Sequence, residues 1–106
     1  MELRSINIIG LGYIGLPTAL MFAANGISVV GTDINIELVN TLKTGRLTFQ
    51  EKGLEELFNI VRKKGIDFST DYQTTNFYII AVPTPYDTNS KKIDPTYLIE
   101  AFKKVI

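Results

Sequence analysis

Glycines at positions 10, 12 and 15 break a β-branched apolar run, Ile6 to Ile9, and open onto residues spaced as one face of a helix, Leu16, Ala19, Leu20 and Ala23. A chain can pass from a buried strand into a helix this abruptly only through a tight turn, and glycine allows the backbone conformations such a turn needs. Pro17 suits the first helical turn, where its missing N–H costs nothing, and Asn25-Gly26 supplies the stop. Ile27 to Gly31 then reads as a second strand running to Asp33. Strand, helix and strand within about 30 residues is the size of a right-handed crossover unit, so the sheet is expected to be parallel.

Beyond this unit, Ile34, Leu38, Val39 and Leu42 form an apolar stripe that ends at Gly45, and Leu54, Leu57, Phe58 and Val61 form another that ends at Gly65. These stripes predict two helices joined by a loop. Ile66 to Thr70 alternates as a brief edge or third strand, and Phe77 to Val82 reads as a central strand that ends at Pro83-Thr84-Pro85. Tyr86 to Lys92 reads as a loop, and Asp94-Pro95 as the cap and first turn of a helix with the stripe Leu98, Phe102 and Val105. The sequence stops at Ile106 inside that stripe, so the expectation is a truncated sheet that continues in a longer parent.

Composition narrows the chemistry. With 106 residues the chain is one domain or part of one. Its 11 Lys+Arg balance 11 Asp+Glu, which removes the electrostatic footprint of a partner nucleic acid or an anionic membrane. Having neither Cys nor His, these residues hold no disulfide, no thiol nucleophile and none of the usual zinc sites, so no metal site is expected. No apolar stretch approaches about 18 residues and no cleavable signal pattern precedes Ile6, so a soluble, cytoplasmic protein is expected.

The glycine loop follows a strand, opens a helix, and is answered eighteen residues after Gly15 by an acid at the end of the next strand. That order points to a dinucleotide. Gly10 would permit the turn, Gly12 would let a pyrophosphate approach the backbone, and Gly15 would let helix and strand pack closely. Asp33 would accept hydrogen bonds from the adenosine ribose and repel a 2′-phosphate, and Ile34 to Glu37 offer no Arg or Lys to receive one, so NAD is expected over NADP. The competing reading is structural: the glycines only make a turn, and Asp33 caps a helix beginning near Ile34. Both roles are compatible in one carboxylate. Tyr13 and Ile14 would offer backbone N–H groups or a side-chain wall, although Ile14 reads equally well as core. Thr84 lies where a ligand would sit at the carboxyl end of its strand, or is a structural hydroxyl in a rigid turn. Glu51 reads as charge at a helix start, Lys91 and Lys92 as a solvated loop, and Tyr72, Tyr78, Tyr86 and Tyr97 as structural tyrosines.

Gly10-Leu11-Gly12-Tyr13-Ile14-Gly15-Leu16-Pro17-Thr18-Ala19, Gly31-Thr32-Asp33-Ile34-Asn35 and Ala81-Val82-Pro83-Thr84-Pro85, taken together, resemble the UDP-glucose/GDP-mannose dehydrogenase family. The resemblance also takes in Gly45, Glu51-x-Gly53-Leu54 and Asp94-x-x-Tyr97. It implies an α/β fold, a doubly wound parallel sheet of Rossmann type, truncated, with residues 1–106 as the N-terminal part of an NAD-binding domain. It implies a parent enzyme, homo-oligomeric, that oxidises the C6 alcohol of a UDP-sugar to the uronate with two NAD, for surface polysaccharide. UDP-N-acetylmannosamine is the sugar expected on that likeness. The family's covalent chemistry runs through a cysteine thiohemiacetal and thioester on later segments, so the residues seen here are expected to be inactive alone and to supply no catalytic group. The family's NAD contacts carry over to Tyr13, Ile14, Asp33 and Thr84. The sequence departs from the family at Leu38, where many members place Lys or Arg, and a weaker hold on the adenosine end is expected. Another dehydrogenase with the same fold, of hydroxyacid or phosphogluconate type, and a non-catalytic nucleotide-binding module are the alternatives.

Overall fold

The computed structural model describes residues 5–82, the backbone of Tyr86, Asp87, Lys92 and Ile93, and residues 99, 100, 103 and 104. In chain order the elements are β1 (Ser5–Ile9), α1 (Gly15–Ala24), β2 (Ser28–Thr32), α2 (Ile36–Lys43), α3 (Leu54–Arg62), β3 (Asp67–Ser69), β4 (Phe77–Ile80), β5 (Tyr86–Asp87) and β6 (Lys92–Ile93). The first four strands form one parallel sheet in the order β3-β2-β1-β4. Strand order therefore runs outward from β1 to β3 and reverses at β1 to reach β4. Residues 99, 100, 103 and 104 are helical.

The two faces of the sheet are built differently, and strand alternation decides which residue serves which face. Ile6, Ile8 and Val29 join Leu16, Leu20, Leu42, Phe58 and Val61 in a continuous apolar core beneath the helices. Their neighbours Asn7 and Thr32 are also fully buried, yet polar, and lie on the opposite face. That face is crossed by residues 70–76, the connection from β3 to β4, which is irregular backbone. Irregular backbone laid on a sheet needs hydrogen-bond partners. Asn7 Oδ1 accepts from Gln73 N at 3.1 Å, and Thr32 Oγ1 donates to the Asp71 carbonyl at 3.3 Å. Asn7 Nδ2 completes the network, donating to Thr32 Oγ1 at 2.8 Å and to the Val30 carbonyl at 3.0 Å.

The crossover unit, the parallel sheet and the two helices with their predicted stripes are present. Three expectations are corrected. Among the described residues β4 pairs with β1 alone and its residues are only partly covered, so the central position expected of it is not tested within them. Part of the expected loop from Tyr86 to Lys92 is the antiparallel pair β5 and β6. Ile34 is 64% exposed because α2 starts two residues later, which turns Ile34 away from the buried Val39 and Leu42. The cap of α2 is Asn35, whose side chain accepts from Leu38 N at 3.2 Å, and not Asp33. The expected helix start at Asp94-Pro95 and its stripe lie outside the described residues. No helix among the described residues is long and apolar enough to cross a membrane.

Candidate functional site

All three parallel ladders continue one residue beyond their strands at the carboxyl edge. Gly10 N donates to the Thr32 carbonyl at 2.7 Å, Ala81 N to Ile9 at 2.6 Å, and Asp33 N to Ser69 at 3.1 Å. The loops after β1, β2 and β4 thus leave the sheet side by side, and a cleft of about 820 Å³ opens between them. It is lined by Gly10, Gly12, Tyr13, Ile14, Asp33 and Val82, among others. An open parallel sheet binds ligands at this edge, where strand order reverses.

The three glycines do three different things. Gly10 has φ +97°, and a Cβ there would lie 2.5 Å from the Ala81 carbonyl oxygen. Gly15 faces the Gly10 carbonyl oxygen so closely that a Cβ would collide with it. These two glycines are demanded by the protein itself. A Cβ on Gly12 would meet nothing within 4 Å, so what its missing side chain keeps clear is the cleft. Between them Leu11 is fully buried and packs where Gly31 leaves room, which anchors the loop from below.

Helix α1 begins without a side-chain cap and without an acid in its first turn. Among the described residues, the backbone amides of Gly12, Tyr13, Ile14 and Gly15 find no acceptor in the protein. Open amides at the start of a helix, with the positive end of its dipole behind them, suit an anion. Asp33 stands across the cleft. Its Oδ2 accepts from Leu11 N at 2.9 Å and its Oδ1 from Asn35 N at 2.9 Å. A carboxylate offers about four acceptor positions, so each oxygen keeps one for a further donor, such as a pair of sugar hydroxyls.

Of the residues expected from the sequence, Gly10, Gly12, Tyr13, Ile14 and Asp33 line this cleft, whereas Gly15 is buried against the Gly10 carbonyl and does not line it. Thr84 lies outside the described residues. Tyr13 and Ile14 are 76% and 73% exposed, so Ile14 is not core, and the Tyr13 ring packs against Phe49 in a tilted contact, 4.7 Å between centroids and 52° between planes. Leu38 lines the cleft near Asp33. Sequence reasoning missed Tyr72 and Lys104, which also line it. No local pattern could reveal Lys104, since only the fold brings it to the cleft, where its ammonium lies over the Tyr72 ring. No grouping of His, Cys, Asp or Glu among the described residues has the geometry of a metal site.

A parallel sheet with its order reversed at β1, a glycine loop opening α1 and an acid closing β2 define a Rossmann-type dinucleotide-binding unit. Residues 4–106 match the model of the UDP-glucose/GDP-mannose dehydrogenase family, NAD binding domain, and the chain belongs to that family. It is 42% identical over 109 aligned residues to a UDP-N-acetyl-D-mannosamine dehydrogenase of Methanococcus maripaludis, an alignment covering 99% of this chain and 26% of that protein. Among solved structures, UDP-N-acetyl-mannosamine dehydrogenase from Staphylococcus aureus superposes with a TM-score of 0.91 at 36% identity, over 96% of this chain and 25% of that one. A UDP-glucose dehydrogenase from Pyrobaculum islandicum gives a TM-score of 0.87 at 32% identity, over 98% of this chain and 25% of that one. The chain thus spans about a quarter of the length of the relatives it matches.

Proposed function

We propose that residues 1–106 form the N-terminal part of the NAD-binding domain of a nucleotide-sugar 6-dehydrogenase. The whole protein then oxidises the C6 alcohol of a UDP-sugar to the uronate, consuming two NAD. The observation that carries this reading is the pairing of open amides and an unobstructed Gly12 with a carboxylate that keeps acceptor positions free across the same cleft. Gly12 and the amides of Tyr13, Ile14 and Gly15 receive the pyrophosphate, Gly10 shapes the turn that presents them, and Asp33 takes the adenosine ribose. Thr84, from the same resemblance, is assigned a cofactor contact. Bound NAD supplies the hydride acceptor; these residues orient it and exclude a 2′-phosphate by charge.

UDP-N-acetylmannosamine is the proposed sugar, supported by the names of the two mannosamine dehydrogenases aligned above. The same reading places the enzyme in the cytoplasm, in surface polysaccharide synthesis, as a homo-oligomer whose catalytic groups lie outside these residues. The test is an assay of the full natural protein with NAD and a panel of UDP-N-acetylmannosamine, UDP-glucose and GDP-mannose. Two NADH per UDP-sugar, with a uronate as product, is the expected result. Oxidation of a hydroxyacid or phosphogluconate, with none of the three sugars turned over, would overturn the proposal.

A further inference from the structure

The polar network under residues 70–76 has an effect beyond satisfying the backbone. Its two anchors, the Asp71 carbonyl on Thr32 and the Gln73 amide on Asn7, flank Tyr72 on both sides. All of the Asn7 side chain's polar atoms are used, in a fully buried position where an apolar residue would satisfy the strand. What the anchors fix is therefore the tyrosine between them. Tyr72 is half-buried and lines the cleft with Asp33, Ile34 and Leu38. Its hydroxyl has no hydrogen-bond partner among the described residues. The Lys104 ammonium lies 5.5 Å from the centre of its ring.

We propose that Tyr72 is a cofactor-contacting residue at the adenosine end of the cleft, with Asn7 and Thr32 as the residues that position it. This rests on the dinucleotide reading above. A ribose held at Asp33 carries its base toward the walls nearest that carboxylate, and here those walls are Ile34, Leu38 and the Tyr72 ring. Exposed apolar atoms and an aromatic ring suit the flat face of a purine. Burial, and after it the charge of Asp33, push the Tyr72 phenol above its ordinary range, so the hydroxyl stays a neutral donor at working pH. The ring can cover the base while the hydroxyl donates to it or to the ribose.

The test is calorimetric titration of the full natural protein, and of Tyr72→Ala, Tyr72→Phe and Asn7→Leu variants, with NAD, AMP and nicotinamide mononucleotide. Tyr72→Ala is expected to weaken NAD and AMP about tenfold, in line with loss of one base stack, and to leave nicotinamide mononucleotide unaffected. Tyr72→Phe, which keeps the ring, is expected to lose only about threefold. Asn7→Leu should weaken AMP although the tyrosine is still present, and adding it to Tyr72→Ala should cost nothing more, because the two act through one contact. Unchanged AMP affinity in Tyr72→Ala, or equal losses for AMP and nicotinamide mononucleotide, would overturn the assignment while leaving the dinucleotide reading intact. A wild-type protein that binds neither NAD nor AMP would overturn that reading itself.

Discussion

Gly10 and Gly12 stand two positions apart and separate folding from function. Replacing Gly10 with Ala forces a side chain into positive φ and against the Ala81 carbonyl, and should cost about 2 kcal/mol or more of stability in urea denaturation. The same change at Gly12 meets open space, so stability should stay within about 0.5 kcal/mol. Its NAD affinity should nevertheless fall at least tenfold, because the added methyl stands where the pyrophosphate approaches. Asp33 combines the roles that the sequence left side by side. It ties Leu11 in the glycine loop to Asn35 at the entry to α2, and it still has acceptor positions to offer. Asp33→Asn must present an amide N–H₂ to one of those two backbone donors, and a loss of about 1–2 kcal/mol is expected by the same denaturation measurement.

The first four strands and helices α1 to α3 formed close to where their own residues specify them, whereas β5 and β6 were not foreseen. Asn35 caps α2 through Leu38 N, and Asn35→Ala should lower stability by about 1 kcal/mol, with faster amide exchange confined to the first turn of that helix. The β1-α1-β2 unit, the stripe positions Val39, Leu42, Phe58 and Val61, and the strand around Phe68 were legible because the period of local hydrophobicity encodes them. The neighbours of β4 were not legible, since an apolar run of that length reads the same at an edge as at a centre. The glycine loop and Asp33 could be found because a single unit brings them together. Tyr72 gave only the polarity of Asn7 in an apolar strand as a signal, and Lys104 gave none, because each reaches the cleft through contacts distant in sequence.

At the scale of the molecule, the helix-covered face of the sheet supplies the apolar core, and the polar network on the other face pins residues 70–76. The cleft forms at the carboxyl edge because the loops after β1 and β4 leave on either side of the order reversal. A ligand that binds only the folded chain adds its binding free energy to stability, so NAD at about 100 times its Kd should stabilise the protein by about 2.7 kcal/mol, read as a rise in Tm. The charge at that site should also select between cofactors, since Asp33 opposes a 2′-phosphate. The most direct measurement is therefore a parallel titration of the full natural protein with NAD and NADP, with Gly12→Ala as the folded control. Saturable binding of NAD at least tenfold tighter than of NADP, lost in the control, is the expected result. A folded protein that binds neither cofactor, or that keeps its NAD affinity with Gly12 replaced, would contradict the assignment of this cleft to the dinucleotide.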